Sequence, residues 1–194
     1  MTRIGSASLM TLEAYARARP QFRAEVLAHK KNRTVALGSN VTLIFEDELT
    51  IRYQIQEMLR IEKTFEEQGI RNELEAYGPL IPDGTNWKAT MMIEFPEVEE
   101  RKRQLALLRG IERDVWVQQD GGARVMAIAD EDMARSNDEK TSAVHFLRFE
   151  LPPEMRAALK SGAKLAIGID HPAYRVQMQV GDAIRAALVA DLTA

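Results

Sequence analysis

Glu62 is the carboxylate whose setting first asks for a chemical explanation. Taking Ile51 as origin and about 100° per residue, Ile55, Met58, Glu62 and Phe65 fall on one helical arc. Gln54 and Glu66 border the same stripe. A carboxylate in an apolar stripe must find a partner or take up a proton, because an unpaired buried charge is costly. It is then either half of an ion pair with an arginine of the preceding helices, or a metal ligand or general base in a helical core.

The three histidines come next. His145 shares a strand face with Ala143, Leu147 and Phe149, so it is expected to point inward, either as a satisfied core residue or as a ligand. His171 lies in Asp170-His171-Pro172 at the end of a strand, a good turn that also suits the rim of a site. No spacing fits a local metal motif, so a site made by Glu62, His145 and His171 would have to be assembled by the fold. Imidazole with carboxylate suits iron, manganese or zinc. His29, Lys30 and Arg33 close a helix, where cations favour the negative end or hold an anion. The loop over residues 79–88 adds Asp83, Asn86, Trp87 and Lys88. It is stiffened by Pro79, Pro82 and Gly84 and could line a small-molecule or anion pocket, with Trp87 alternatively plugging the core edge. Asp170 joins His171 as a candidate ligand-binding residue.

Several chemistries are excluded. The chain has no cysteine, so disulfides, thiolate nucleophiles and zinc–thiolate or iron–sulfur ligation by its own side chains are impossible. No phosphate-cradling glycine loop, dinucleotide fingerprint, nucleophile elbow or HExxH is found. Hydrophobic residues at 45% and charged residues at 28% describe an ordinary soluble globular protein. No run approaches the ~20 apolar residues of a membrane span, and residues 1–20 lack a secretory h-region, so a cytoplasmic location is expected. Residues 1–33 hold Arg3, Arg17, Arg19, Arg23, Lys30, Lys31 and Arg33 against only Glu13 and Glu25, whereas the whole chain carries a net −3. A basic head on an acidic body can bind anions or dock on another copy, giving a homo-oligomer. Nucleic acid is not an expected partner, because the pI is 5.7 and no aromatic residue interleaves the basic run.

The elements that must position these residues follow from pattern and punctuation. Thr11 is expected to cap a helix over residues 12–18, and Pro20 to start a second one reaching about Lys31. Two strands flank Gly38-Ser39-Asn40 as a hairpin. Residues 48–56 alternate like a strand, but the absence of turn residues before Gly69 favours a helix over residues 48–68. Then come a turn-rich stretch at 78–86, a strand at 88–95, a charged helix at 97–109 stopped by Gly110, and a hairpin pairing 115–118 with 124–129. A strand over 141–151, a helix over 154–160, a strand over 164–170 and a helix from Asp182 to about Asp191 complete the chain. With helices early and strands late, the expected fold is a single α+β domain, a mainly antiparallel sheet with an N-terminal helical layer and a loose tail at residues 1–10.

The blocks Ala28-His29-Lys30-Lys31-Asn32-Arg33, Gln54-Ile55-Gln56-Glu57-Met58-Leu59-Arg60, residues 80–90, residues 142–150 and Asp170-His171-Pro172 resemble a bacterial family called domain of unknown function 3501. The likeness runs from about Leu12 to Tyr174. The family has no established activity, but its members are often encoded beside rubrerythrin and a cysteine-rich iron–sulfur oxidoreductase. The resemblance therefore implies an accessory role in iron-dependent peroxide or redox defence, with a rubrerythrin-like or iron–sulfur redox protein as partner. All three histidines lie inside the resembling blocks.

Three readings remain open on the sequence. The first is an accessory protein binding a metal or small ligand through Glu62, His145, His171 and the 79–88 loop. The second is a non-catalytic adaptor docking through its charge asymmetry on a redox enzyme. The third is an enzyme on a small anionic substrate, with His171 or Glu62 as acid/base and Lys88 or Arg33 holding the anion.

Overall fold

The computed structural model describes residues 4–131, 135–136 and 139–193. Thr11 caps α1 (Leu12–Lys30) through its hydroxyl, which accepts from Ala14 N at 3.2 Å. Pro20 does not divide this helix, contrary to the two helices expected. Tyr15, Phe22 and Val26 pack as one buried cluster with Leu49 and Tyr53 from both sides of the proline, and that packing holds the turn that lacks an N–H. β1 (Thr34–Leu37) and β2 (Val41–Phe45) form the expected hairpin, with Gly38 at φ 71°.

The ambiguous segment is helical: α2 runs Glu48–Glu62, opened by a reciprocal Asp47–Thr50 capping box. It is shorter than the sequence suggests. Lys63 turns left-handed at φ 54° and ends it, and α3 (Glu67–Tyr77) follows. The buried line on α2 is Ile51, Ile55 and Leu59, which pack with Leu74, Tyr77, Leu80 and Ile81. Ile4 and Leu9 join that cluster, and Met10 N donates to Gln56 Oε1 at 2.6 Å. Residues 4–10 are therefore tied down rather than a loose tail; residues 1–3 lie outside the described residues.

The rest is β3 (Asn86–Ile93), α4 (Val98–Leu107), β4 (Val115–Gln119), β5 (Arg124–Met126), β6 (Ile128–Ala129), β7 (Val144–Glu150), α5 (Pro153–Lys160), β8 (Leu165–His171), β9 (Tyr174–Gln179) and α6 (Asp182–Ala190). The fold is α+β and every pairing is antiparallel. Among the described residues the strands form two sheets, ordered β1-β2-β3-β7-β6 and β5-β4-β8-β9. The split falls within residues 124–129: β5 pairs with β4, Ala127 N donates to Val115 O at 2.8 Å, and the chain then enters the other sheet as β6 beside β7. Inner-face residues of both sheets, including Leu43, Trp87, Met91, Phe149, Val117 and Ile167, share one apolar core that α5 and α6 close with Met155, Leu159 and Leu188, joined by Leu192 just beyond α6. Among the described residues, no helix is long and apolar enough to cross a membrane.

Candidate functional site

β7 alternates as the sequence indicates, so His145, Leu147 and Phe149 face the core. His145 is fully buried, and Met91 is its cross-strand partner. Its polar neighbours arrive from two other places. Gly110, at φ 85°, turns the chain out of α4 into a single 3-10 turn, Ile111–Arg113, which carries the buried Glu112. The crossing from β5 to β6 ends at Asp130, whose backbone takes φ 51°. That residue extends the β7 ladder, because Asp130 N donates to Phe146 O at 2.9 Å and Phe146 N donates to Asp130 Oδ1 at 3.1 Å.

The imidazole is thereby held on both nitrogens. Nδ1 lies 2.6 Å from Asp130 Oδ2, an acceptor, so Nδ1 carries a proton and donates. Nε2 faces Thr141 Oγ1 at 2.8 Å and Ser142 O at 3.1 Å, with Glu112 Oε2 3.8 Å away. The Thr141 hydroxyl donates to Glu112 Oε2 at 3.2 Å, and Ser136 Oγ donates to Glu112 Oε1 at 3.1 Å. Arg135 lies over the Phe146 ring at 4.5 Å and reaches Asp130 Oδ1 at 3.4 Å. Thr141 N donates to Leu105 O at 3.0 Å, which ties the group to α4. Among the described residues, Glu112, Asp130 and His145 are the one set of three ligand-bearing side chains whose atoms lie within 4.8 Å of one another.

The other expected ligands do not join it. Glu62 is exposed on the last turn of α2, where it faces Glu73 and helps hold that carboxyl above the usual range, burial being the larger cause. The arc argument fails there because the helix ends at Glu62, leaving Phe65 exposed beyond it. His171 is buried elsewhere. Its Nε2 is 3.1 Å from Arg109 O and its Nδ1 accepts from Ala173 N at 3.2 Å, so it staples the β8–β9 turn. Asp170 pairs with Arg124.

Arg33 is not available to an external anion. Its guanidinium is buried, donating to Phe45 O at 2.9 Å and Glu46 O at 3.2 Å, and pairs with Asp191 and with Asp47. His29 Nε2 meets Asp47 Oδ2 at 2.5 Å, while Lys30 offers its carbonyl to the Thr34 hydroxyl at 2.8 Å. Arg19 similarly pairs with Glu57 at 2.7 Å. Two cations of the basic head, Arg19 and Arg33, are thus paired within the chain.

The 79–88 loop divides by role. Trp87 is in the core, its Nε1 donating to Leu188 O at 2.9 Å and its ring 6.0 Å from Phe45. Asn86 is buried and braces the turn by donating to Asp83 Oδ2 at 2.9 Å and Glu150 Oε1 at 3.1 Å. Only Asp83 and Lys88 of the four candidates reach open space, lining a cleft of ≈ 850 Å³ with residues of α3.

Glu112, Asp130, Ser136 and Thr141 were not found from the sequence. They come from three separate segments, and nothing in their spacing links them to His145. A cue existed for Asp130 alone, an acid placed directly after an apolar strand run.

The fold and the site define a class: an α+β protein with two antiparallel sheets and a buried histidine braced between two carboxylates. A family profile described as protein of unknown function (DUF3501) matches residues 3–192, and the chain belongs to that family. A solved structure from Burkholderia pseudomallei K96243, described as a novel protein of unknown function, is similar at 53% identity with a TM-score of 0.95, over 99% of this chain and 100% of that one. Comparison with curated proteins gave no match.

Proposed function

We propose that this chain is an accessory metal-binding protein whose centre is His145 with Glu112, oriented by Asp130. The observation that carries the reading is the Asp130–His145 hydrogen bond. A carboxylate that accepts a hydrogen bond from Nδ1–H fixes the ring as metal-bound imidazoles require, and an ion at Nε2 would take the place of its contacts with Thr141 Oγ1 and Ser142 O. Two ligand atoms each about 2.1 Å from one ion lie at most about 4.2 Å apart. The 3.8 Å between Nε2 and Glu112 Oε2 can therefore be spanned by a single cation, with the hydroxyls of Thr141 and Ser136 as neighbouring oxygens. One nitrogen among oxygens suits iron, manganese or zinc rather than a thiolate-seeking ion.

The setting proposed is the cytoplasm, in iron-dependent redox defence beside a rubrerythrin-like or iron–sulfur protein. Its support is the family resemblance of the blocks containing His29, His145 and His171. A metal-stabilised fold melts higher when the ion is added. Manganese, iron(II) or zinc should raise the Tm of the wild type, and Glu112→Gln should abolish the rise while keeping the native near-ultraviolet spectrum. No rise with any of the three ions would remove the reading.

A second reading is favoured by the completeness of the hydrogen bonding. The cluster is then a polar bolt joining the Ile111–Arg113 turn, β6 and β7, with no ion. It predicts that Glu112→Gln lowers Tm equally with and without added metal.

A further inference from the structure

The cleft between α3 and the 79–88 loop is separate from the His145 centre, and its lining is unusual for plain surface. Leu74, Pro79 and Ile81 give it apolar walls, while Lys88 stands at one side. β3 alternation puts Trp87 and Ala89 into the main core and turns Lys88 to the opposite face, under the loop. There the ammonium donates to two neutral carbonyls, Pro79 O and Ile81 O, the latter at 3.0 Å. An ammonium has three donors, so one remains after these two. None of the ion pairs among the described residues includes Lys88. Asp83, the nearest acid on the loop, spends its oxygens on Thr85 N at 2.8 Å, the Thr85 hydroxyl at 2.7 Å and Asn86 Nδ2 at 2.9 Å. Lys88 is thus a positioned cation beside apolar walls, without a counter-charge of its own in contact.

We infer that this cleft binds a small organic monocarboxylate with an apolar body, the carboxylate on Lys88 Nζ and the body against Leu74, Pro79 and Ile81. The charge of the lining selects the class. Lys88 and Arg71 are offset by Glu75 and Asp83 around the same space, so a multiply charged phosphate would meet two carboxylates for its two cations. A monocarboxylate brings a single negative charge to the one ammonium with a spare donor and so meets less repulsion from Glu75 and Asp83. The volume lies in the range that ordinary ligand pockets occupy, about 300–1,000 Å³, and mixed apolar walls with few fixed polar groups are their usual composition. Burial also pulls the Lys88 ammonium below the usual lysine range, partly countered by Asp83, so the charged form gains from an anion that restores its lost solvation.

The test uses the full chain and three probes: sodium octanoate, 1-octanol and inorganic phosphate, titrated while backbone amide shifts are followed. Octanoate should saturate, moving amides of Leu74, Ile81 and Lys88, and bind at least tenfold tighter than octanol, with phosphate leaving these amides in place. Lys88→Met should cut octanoate affinity at least tenfold, and Lys88→Arg should restore most of it. Equal affinity for octanoate and octanol, a phosphate response at the same amides, shifts confined elsewhere, or no octanoate response at millimolar concentration would each overturn the assignment. The comparison of probes on the wild type stands even if Lys88→Met loosens the loop.

Discussion

His145 and Asp130 meet at 2.6 Å across 15 residues of chain, and the meeting depends on a backbone that few side chains tolerate. Asp130 sits at φ 51°, where aspartate and asparagine are enriched and β-branched residues are outliers. The same residue thereby finishes the β6 pairing with its N–H and supports the imidazole with its carboxylate.

That dual use separates two substitutions. Asp130→Asn keeps the left-handed backbone and an oxygen for Nδ1 but turns its NH2 toward the Phe146 N–H, so stability should fall by about 1 kcal/mol while metal affinity falls about 10–100-fold. Asp130→Ala loses both and should cost about 2–3 kcal/mol. Urea unfolding with parallel metal titration measures each; equal effects on both quantities would contradict the division of roles.

The buried Arg33 clamp gives a second expectation. It fastens the C-terminal end of α6 and the N-cap of α2 to the end of α1 through Asp191 and Asp47. Removing one partner of a buried pair strands the other, so Arg33→Ala should destabilise by about 3–5 kcal/mol. Urea midpoints read it, and a loss below 1 kcal/mol would show that solvent reaches the two aspartates.

Acid lability should have a definite window. The Arg19 guanidinium, hydrogen-bonded to Glu57, leads in holding that carboxyl down to about 2 against burial, with Tyr15 and Arg60 adding to it. A depressed carboxylate stabilises the fold above its unfolded value of 4.5 and loses that contribution as pH falls from there toward 2. Glu57→Gln should therefore flatten the fall of Tm between pH 4.5 and 2.5 relative to wild type. An unchanged slope would place the acid-sensitive group elsewhere.

Gly168 offers a steric test. A Cβ there would collide with the Trp116 ring and approach Val176 O to 2.7 Å, backbone that cannot move without disturbing the β8–β9 ladder. Gly168→Ala should cost about 1–3 kcal/mol by differential scanning calorimetry, despite adding one methyl group. A neutral result would mean that both Trp116 and the β8–β9 ladder can shift to admit the methyl group.

What the sequence makes legible here is periodic or local. The β1–β2 hairpin, the inward face of His145 and the stop at Gly110 follow from spacing and turn chemistry. β9 carries the same alternation, with Tyr174, Val176 and Met178 half-buried between exposed neighbours, and could have been read. Pro20 misleads because tertiary packing outweighs a local breaker. Glu62 misleads because an angular arc has meaning only as far as the helix continues, and nothing in Lys63 announces a left-handed residue. Glu112 and Asp130 reach His145 through the passage of the chain between two sheets, a long-range event with no periodic trace.

The most direct measurement of the central claim is the metal content of the full chain purified without chelators, beside His145→Gln and Glu62→Gln. The account predicts iron, manganese or zinc bound to wild type and to Glu62→Gln, and at least a tenfold loss in His145→Gln. Equal metal in all three proteins, or none in the wild type after loading with each ion, would contradict it.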